Sequence, residues 1–158
     1  MSTLVKKDIN ASVILHVIKL SETWKKNGEK ITRSQDITVQ QWFILLLLAN
    51  DPNIIYLQEN PQKKPLMAKE IAEALNVTQA NVTNLLTILI EKKLILQIVD
   101  STDKRRKRLK LSASGVKLVQ KLEAIRTAYN HQLLHSFTKK EKEKFILFAK
   151  KCLHAMPH

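Results

Sequence analysis

The chain has 158 residues, 44% of them apolar and only two of them glycine, which leaves material for a core but little of the turn chemistry an all-β fold needs. No long Pro/Gly/Ser-rich stretch separates two large domains, so one compact domain, or two small lobes sharing long helices, is expected. The formal net charge of +13 is uneven: Lys and Arg exceed Asp and Glu by 3 in residues 1–50, fall short by 2 in 51–103 and exceed them by 12 in 104–158. Such a field predicts a polyanionic partner, either nucleic acid or an anionic membrane surface. Composition does not choose between them.

The charged pair Lys6-Lys7 comes before any apolar run of signal-peptide length, and the run from Trp42 to Ala49 is too short to span a bilayer. A cytoplasmic protein without a membrane partner is expected. The single cysteine, Cys152, excludes an internal disulfide and a Cys-based zinc knuckle.

From Asp8 to about Lys26, Ile9, Val13, Val17, Leu20 and Trp24 recur at helical spacing, and Ala11, Ile14, Leu15 and Ile18 widen the stripe. The pattern predicts a first helix buried on more than one side, partly by a second subunit, and ended by Asn27-Gly28. Thr38 is placed to cap a second helix through Ala49, whose run Trp42 to Leu48 is apolar all round and therefore central. Asp51-Pro52 stops it or starts a new turn. Residues 53–65 are polar and bounded by proline except for Ile54 to Leu57, which fit a short strand or one helical turn equally.

Met67 to Leu75 predicts a short helix with Ile71, Ala72 and Leu75 inward, followed by a turn at Asn76-Val77-Thr78. Thr78 then caps a longer helix from Gln79 to about Lys92. Val82, Leu85, Leu86, Leu89 and Ile90 share its packing side, while Gln79, Asn81, Thr83, Asn84 and Thr87 cluster away from it. Leu94 to Val99 has strand character, Asp100 to Asp103 turn character, and Arg108 to Leu111 alternates basic and apolar, which together predict a hairpin with a basic tip. Ser112 caps a long helix carrying Val116, Leu118, Val119, Leu122, Ile125, Tyr129, Leu133 and Leu134. Thr138 and Glu141 form a capping box for a last helix striped with Phe145, Phe148, Cys152, Leu153 and Met156. The expected order is α-α-α-α-β-β-α-α, a mainly α fold with one small β-hairpin.

Two short helices a turn apart, followed directly by a hairpin, make the layout of a winged helix-turn-helix, whose second helix enters the major groove of DNA. The polar residues at the front of that helix suit base edges, since Gln and Asn amides pair with adenine and Thr offers a hydroxyl and a methyl. Lys104, Arg105, Arg106, Lys107, Arg108 and Lys110 place six positive charges in seven residues, with three of the chain's five arginines among them. Arginine suits a narrow minor groove and bidentate phosphate contact, so the wing is expected to grip duplex DNA.

These residues resemble the MarR family of bacterial transcriptional regulators. The likeness runs through Glu70-Ile71-Ala72-Glu73-Ala74-Leu75-Asn76-Val77-Thr78, Val82-Thr83-Asn84-Leu85 and Leu89-Ile90-Glu91-Lys92-Lys93-Leu94-Ile95, and then through Asp100 to Arg105 and Leu111 to Gly115. The resemblance implies a homodimer on double-stranded DNA, with residues 1–36 as an N-terminal dimerisation region, 37–112 as the DNA-binding lobe and 113–158 as C-terminal dimerisation helices. It implies major-groove contacts from Thr78, Gln79, Asn81, Thr83 and Asn84, joined by Thr87, and a minor-groove arginine at Arg105, braced by Asp103. A small aromatic effector, bound near Trp24, Trp42 and Tyr129, would release a repressor from its promoter; core packing explains the three aromatics equally well. The family's first wing arginine is Thr102 here, a common arginine on the reading helix is Asn84, and the glycine that ends that helix is Lys93. Preference for A·T is one consequence, and a left-handed Lys93 or a different helix end is another.

Plainer readings stand beside these. A basic run such as 104–108 is often a solvated face, and the polar helix face can be ordinary surface. His131 and His135 have a zinc-chelating spacing, with His16, His154 or Cys152 as further ligands, but no acidic partner completes the set, so packing or surface and no metal or other cofactor is expected. Cys152 reads as a small core residue. No nucleophile, base or phosphate-loop pattern suggests an enzyme. The alternatives to a sequence-specific regulator are a non-specific architectural nucleic-acid binder and a winged protein-interaction module.

Overall fold

Over residues 6–62 and 64–156, which the computed structural model describes, the elements run α1 (Ile9–Arg33), α2 (Val39–Leu48), α3 (Ile55–Glu59), α4 (Ala68–Leu75), α5 (Gln79–Glu91), β1 (Ile95–Val99), β2 (Lys107–Leu111), α6 (Ala113–Leu133) and α7 (Lys139–Ala155). The chain divides into two units, Met1–Leu122 and Glu123–His158. The mainly helical winged helix with a two-stranded antiparallel hairpin is as the pattern predicted, and Ile54 to Leu57 resolve as part of a helical turn, with Ile54 and Leu57 buried in the core.

The first helix departs from expectation at its end. Asn27-Gly28 does not stop α1, which continues to Arg33. Gly28 serves packing instead, because a Cβ there would stand 3.2 Å from Cγ2 of Val39 at the start of α2. The apolar residues Ile9, Val13, Ile14, Leu15, Val17 and Ile18 remain exposed in the single chain, and the buried residue of α1 is Thr32.

The turns that follow α1, α2, α4 and α5 share one device. Asp36, Asn50, Asn76 and Lys93 all adopt positive φ, and neither glycine does. At the last of them the Lys93 amide donates to the Ile90 carbonyl and the Leu94 amide to that of Leu89, the paired bonds of a Schellman turn. Asp and Asn tolerate this conformation, whereas lysine is strained in it by roughly 1 kcal/mol or more. Lys93→Gly is therefore expected to raise stability by about 1 kcal/mol, seen as a higher urea midpoint at unchanged slope. An unchanged midpoint would show that the turn carries no such strain.

Thr38 caps α2 as expected, accepting from the Gln41 amide at 3.1 Å while its own amide donates to the Gln41 side chain at 2.9 Å. The following run is the centre of the unit. Ile44, Leu45, Leu46 and Leu47 are buried together with Ile71, Val82, Leu86, Leu89, Ile95, Leu109 and Leu122, while Phe43 stays partly exposed. Burial of each such side chain contributes roughly 1.5–3 kcal/mol, so α4, α5 and the hairpin base are anchored on α2.

In the second unit, Thr138 and Glu141 form the predicted capping box on α7. Hydrogen bonds from the Thr138 amide and hydroxyl hold the Glu141 carboxyl below its ordinary range. No described residue of α7 is buried, and Cys152, expected in a core, is exposed. An amphipathic helix with its stripe bare in the single chain explains that difference. Among the described residues no helix is long and apolar enough to cross a membrane.

Candidate nucleic-acid interface

The polar face of α5 forms as its pattern requires. Val82, Leu85, Leu86 and Leu89 are buried, whereas Thr78, Gln79, Asn81, Thr83, Asn84 and Thr87 are all exposed. Ile90, expected on the packing side, is turned out. The Thr78 hydroxyl accepts from the Asn81 amide at 3.2 Å and so caps the helix. Thr83 and Thr87 fold their hydroxyl hydrogens back onto the carbonyls of Gln79 and Thr83, both at 2.9 Å. Their oxygens remain available as acceptors and their methyls as apolar contacts. The side-chain amides of Gln79, Asn81 and Asn84 supply both donors and acceptors.

Three residues separate α5 from the hairpin, in which Ile95 lies opposite Leu111 and Val99 opposite Lys107. Its turn is organised by Asp100, a buried carboxylate that accepts from the Thr102 amide at 2.8 Å, the Thr102 hydroxyl at 2.5 Å, the Asp103 amide at 2.9 Å and Nε of Arg108. The Thr102 hydroxyl, Arg108 and the two amides hold the Asp100 carboxyl well below the usual carboxylate range, against the opposing effect of burial. Arg108 continues the network by donating to the Pro65 carbonyl at 2.6 Å. The Leu109 amide bonds the neighbouring Leu66 carbonyl at 2.9 Å. The segment before α4 thus runs along β2 and pins the wing.

Arg108 therefore stands apart from the exposed cations with which the sequence grouped it. Its side chain is only 12% exposed and is committed to Asp100 and Pro65. Arg105, by contrast, is 93% exposed, with its amide 3.0 Å and its Nε 3.4 Å from Asp103 Oδ1. Arg106 Nε lies 3.2 Å from the other oxygen of the same carboxylate. Lys104 and Lys107 are exposed. Asp103 braces two arginines, but the anchor of the whole turn is Asp100, which sequence reasoning treated as turn chemistry alone. The Asp-x-Thr-Asp spacing of an Asx-type turn was the signal that could have found it.

The model of the MarR family matches residues 35–106, from the end of α1 into the wing turn. The HTH-type transcriptional regulator FarR of Neisseria gonorrhoeae is 26% identical over 113 residues, which are 72% of this chain and 69% of FarR. The crystal structure of S. aureus MepR in its DNA-binding conformation is 31% identical with a TM-score of 0.73, the match covering 93% of this chain and 98% of that one. The S. aureus MepR–DNA complex matches at 29% identity and a TM-score of 0.73, over 92% of this chain and 96% of that one. The chain belongs to the MarR family.

Against the MarR pattern, the departures at Thr102 and Lys93 now have structures. Thr102 gives its hydroxyl to Asp100 in the position of a wing arginine, so the turn keeps its fold with one cation fewer. Lys93 takes the left-handed conformation in place of glycine. Outside this MarR core, His131 and His135 are both exposed, His135 Nδ1 lies 2.9 Å from the Gln132 carbonyl, and no group of three metal-ligating side chains occurs among the described residues. Trp42 is part of the first unit's core, Trp24 is exposed on α1, and Tyr129 belongs to the second unit.

Proposed function

We propose that this protein is a non-enzymatic, cytoplasmic, sequence-specific transcriptional regulator that binds double-stranded DNA as a homodimer and represses until an effector binds. The observation that carries this reading is the exposed amide and hydroxyl face of α5, followed directly by a hairpin whose cationic turn is held in shape by two aspartates. Thr78, Gln79, Asn81, Thr83, Asn84 and Thr87 read base edges, Arg105 enters the minor groove, and Lys104, Arg106 and Lys107 meet phosphates. Arg108 is assigned to bracing. The likeness to MepR in its DNA-binding conformation supports the arrangement.

A second copy is supported by the bare apolar residues of α1 and α7, including Ile9, Val13, Leu15, Phe145, Phe148 and Met156. Residues 1–36 and 113–158 then serve dimerisation around the 37–112 lobe. An open cleft of about 600 Å³ joins the end of α1, the start of α2 and the end of α5, with Lys25, Thr32, Gln41, Ile88 and Lys92 on its walls. A small aromatic effector seated there would touch the helix that packs and the helix that reads.

Selection of duplexes from a random pool is expected to enrich a pseudo-palindromic, A·T-leaning site that resists heparin competition better than random duplex. Equal retention of selected and random DNA would favour an architectural role. Within the selected site, Arg105→Ala is expected to weaken binding about tenfold where the flank is A·T-rich, by loss of one groove contact. Lys107→Ala should weaken all sequences alike and lower the salt slope by about 0.9. Identical behaviour of the two variants on selected and random duplex would sink their assignment.

A further inference from the structure

Three consecutive residues ahead of α4 hold the wing, and the first of them has charge to spare. Leu66 and Pro65 use their carbonyls on Leu109 and Arg108, whereas Lys64 reaches the wing turn with its side chain, Nζ donating to Thr102 Oγ1 at 3.5 Å. That hydroxyl has already given its hydrogen to Asp100, so it meets Lys64 only as an acceptor. Asp100 itself is occupied by two amides, a hydroxyl and a guanidinium. Among the described residues Lys64 forms no ion pair with a carboxylate, and it is exposed. An ammonium has three donors, and a single long bond to a neutral hydroxyl leaves most of that capacity open.

Lys64 joins a turn that already carries Lys104, Arg105, Arg106 and Lys107 against the two carboxylates of Asp100 and Asp103, so the turn is net cationic. A surface with such an excess of positive charge attracts a polyanion. We propose that Lys64 is a further DNA-contacting residue, a phosphate clamp delivered from the segment before α4 to the side of the wing that Thr102 leaves without a cation. The inference rests on the DNA-binding reading above. It gives residues 64–66 a role in recognition beyond tying down the hairpin, since phosphate contacts fix the register of the protein on the duplex.

The test is a salt titration of the full chain on a 30-base-pair random-sequence duplex, for wild type, Lys64→Gln and Lys64→Arg. One lost phosphate contact flattens the slope of log K against log salt by about 0.9 and weakens binding at 0.1 M salt by roughly fivefold. Lys64→Gln is expected to show both changes, and Lys64→Arg to restore the wild-type values. Thermal melting of the three proteins should coincide, because the side chain is exposed. A wild-type slope and affinity in Lys64→Gln would overturn the clamp and leave DNA binding standing. Loss of affinity in Lys64→Gln with an unchanged slope would overturn it as well, and a wild type without affinity for duplex would remove both this inference and the reading beneath it.

Discussion

Gly115→Ala is expected to lower the thermal midpoint by about 10 °C, the largest effect of any single methyl group in the first unit. A Cβ at Gly115 would stand 2.1 Å from the Leu94 carbonyl oxygen and 3.1 Å from its carbon, both of them backbone. The Leu94 carbonyl cannot move aside freely, because it accepts from the Ser112 amide at 3.0 Å. Nor can Ser112, whose hydroxyl donates to the Lys93 carbonyl at 2.6 Å and accepts from the Gly115 amide at 3.0 Å. Those bonds clasp the start of α6 to the junction between α5 and β1. Relief of the clash requires breaking the clasp, at a cost of about 3 kcal/mol. The wing springs from the same junction, so duplex binding should fall with stability. Thermal melts monitored by circular dichroism provide the check, and a midpoint within about 2 °C of wild type would refute the close approach.

Phe148→Glu is expected to convert a dimer into a monomer in sedimentation and to weaken binding to a two-half-site duplex by about 100-fold or more, through loss of the linkage between two reading heads. Phe148 is 58% exposed on α7, within a helix that has no buried residue of its own. A charge at that position costs little in the isolated chain, so the helix itself should persist. Its effect arises only if a second copy buries the stripe, where an unpaired carboxylate is strongly disfavoured. Binding to a single half-site should change little. Wild type sedimenting as a monomer would remove the homodimer from the proposed function, and a Phe148→Glu dimer would remove the α7 stripe from its interface.

Much of this molecule was readable as text because its signals are local. Thr38, Thr78 and Thr138 are caps in sequence and in space, since a hydroxyl two or three residues from a free amide needs no distant partner. The buried side of α5 follows from helical period for the same reason, and its exposed amides and hydroxyls with it. The cationic turn was equally visible, because a run of charge cannot be buried and must stand at the surface.

Other features depend on which segments meet. Gly28 looks like a helix stop until Val39 is found beside it, and α1 then runs on to Arg33. Arg108 is indistinguishable from its neighbours in a basic run, yet Asp100 and Pro65 converge on it and turn it inward. Lys64 lies 38 positions from Thr102, a distance over which no periodicity carries information. Backbone preference and amphipathic spacing act over a few residues and therefore select the elements. The duties of individual charged side chains are set by desolvation and by the nearest opposite dipole, and those neighbours exist only after the chain has closed on itself.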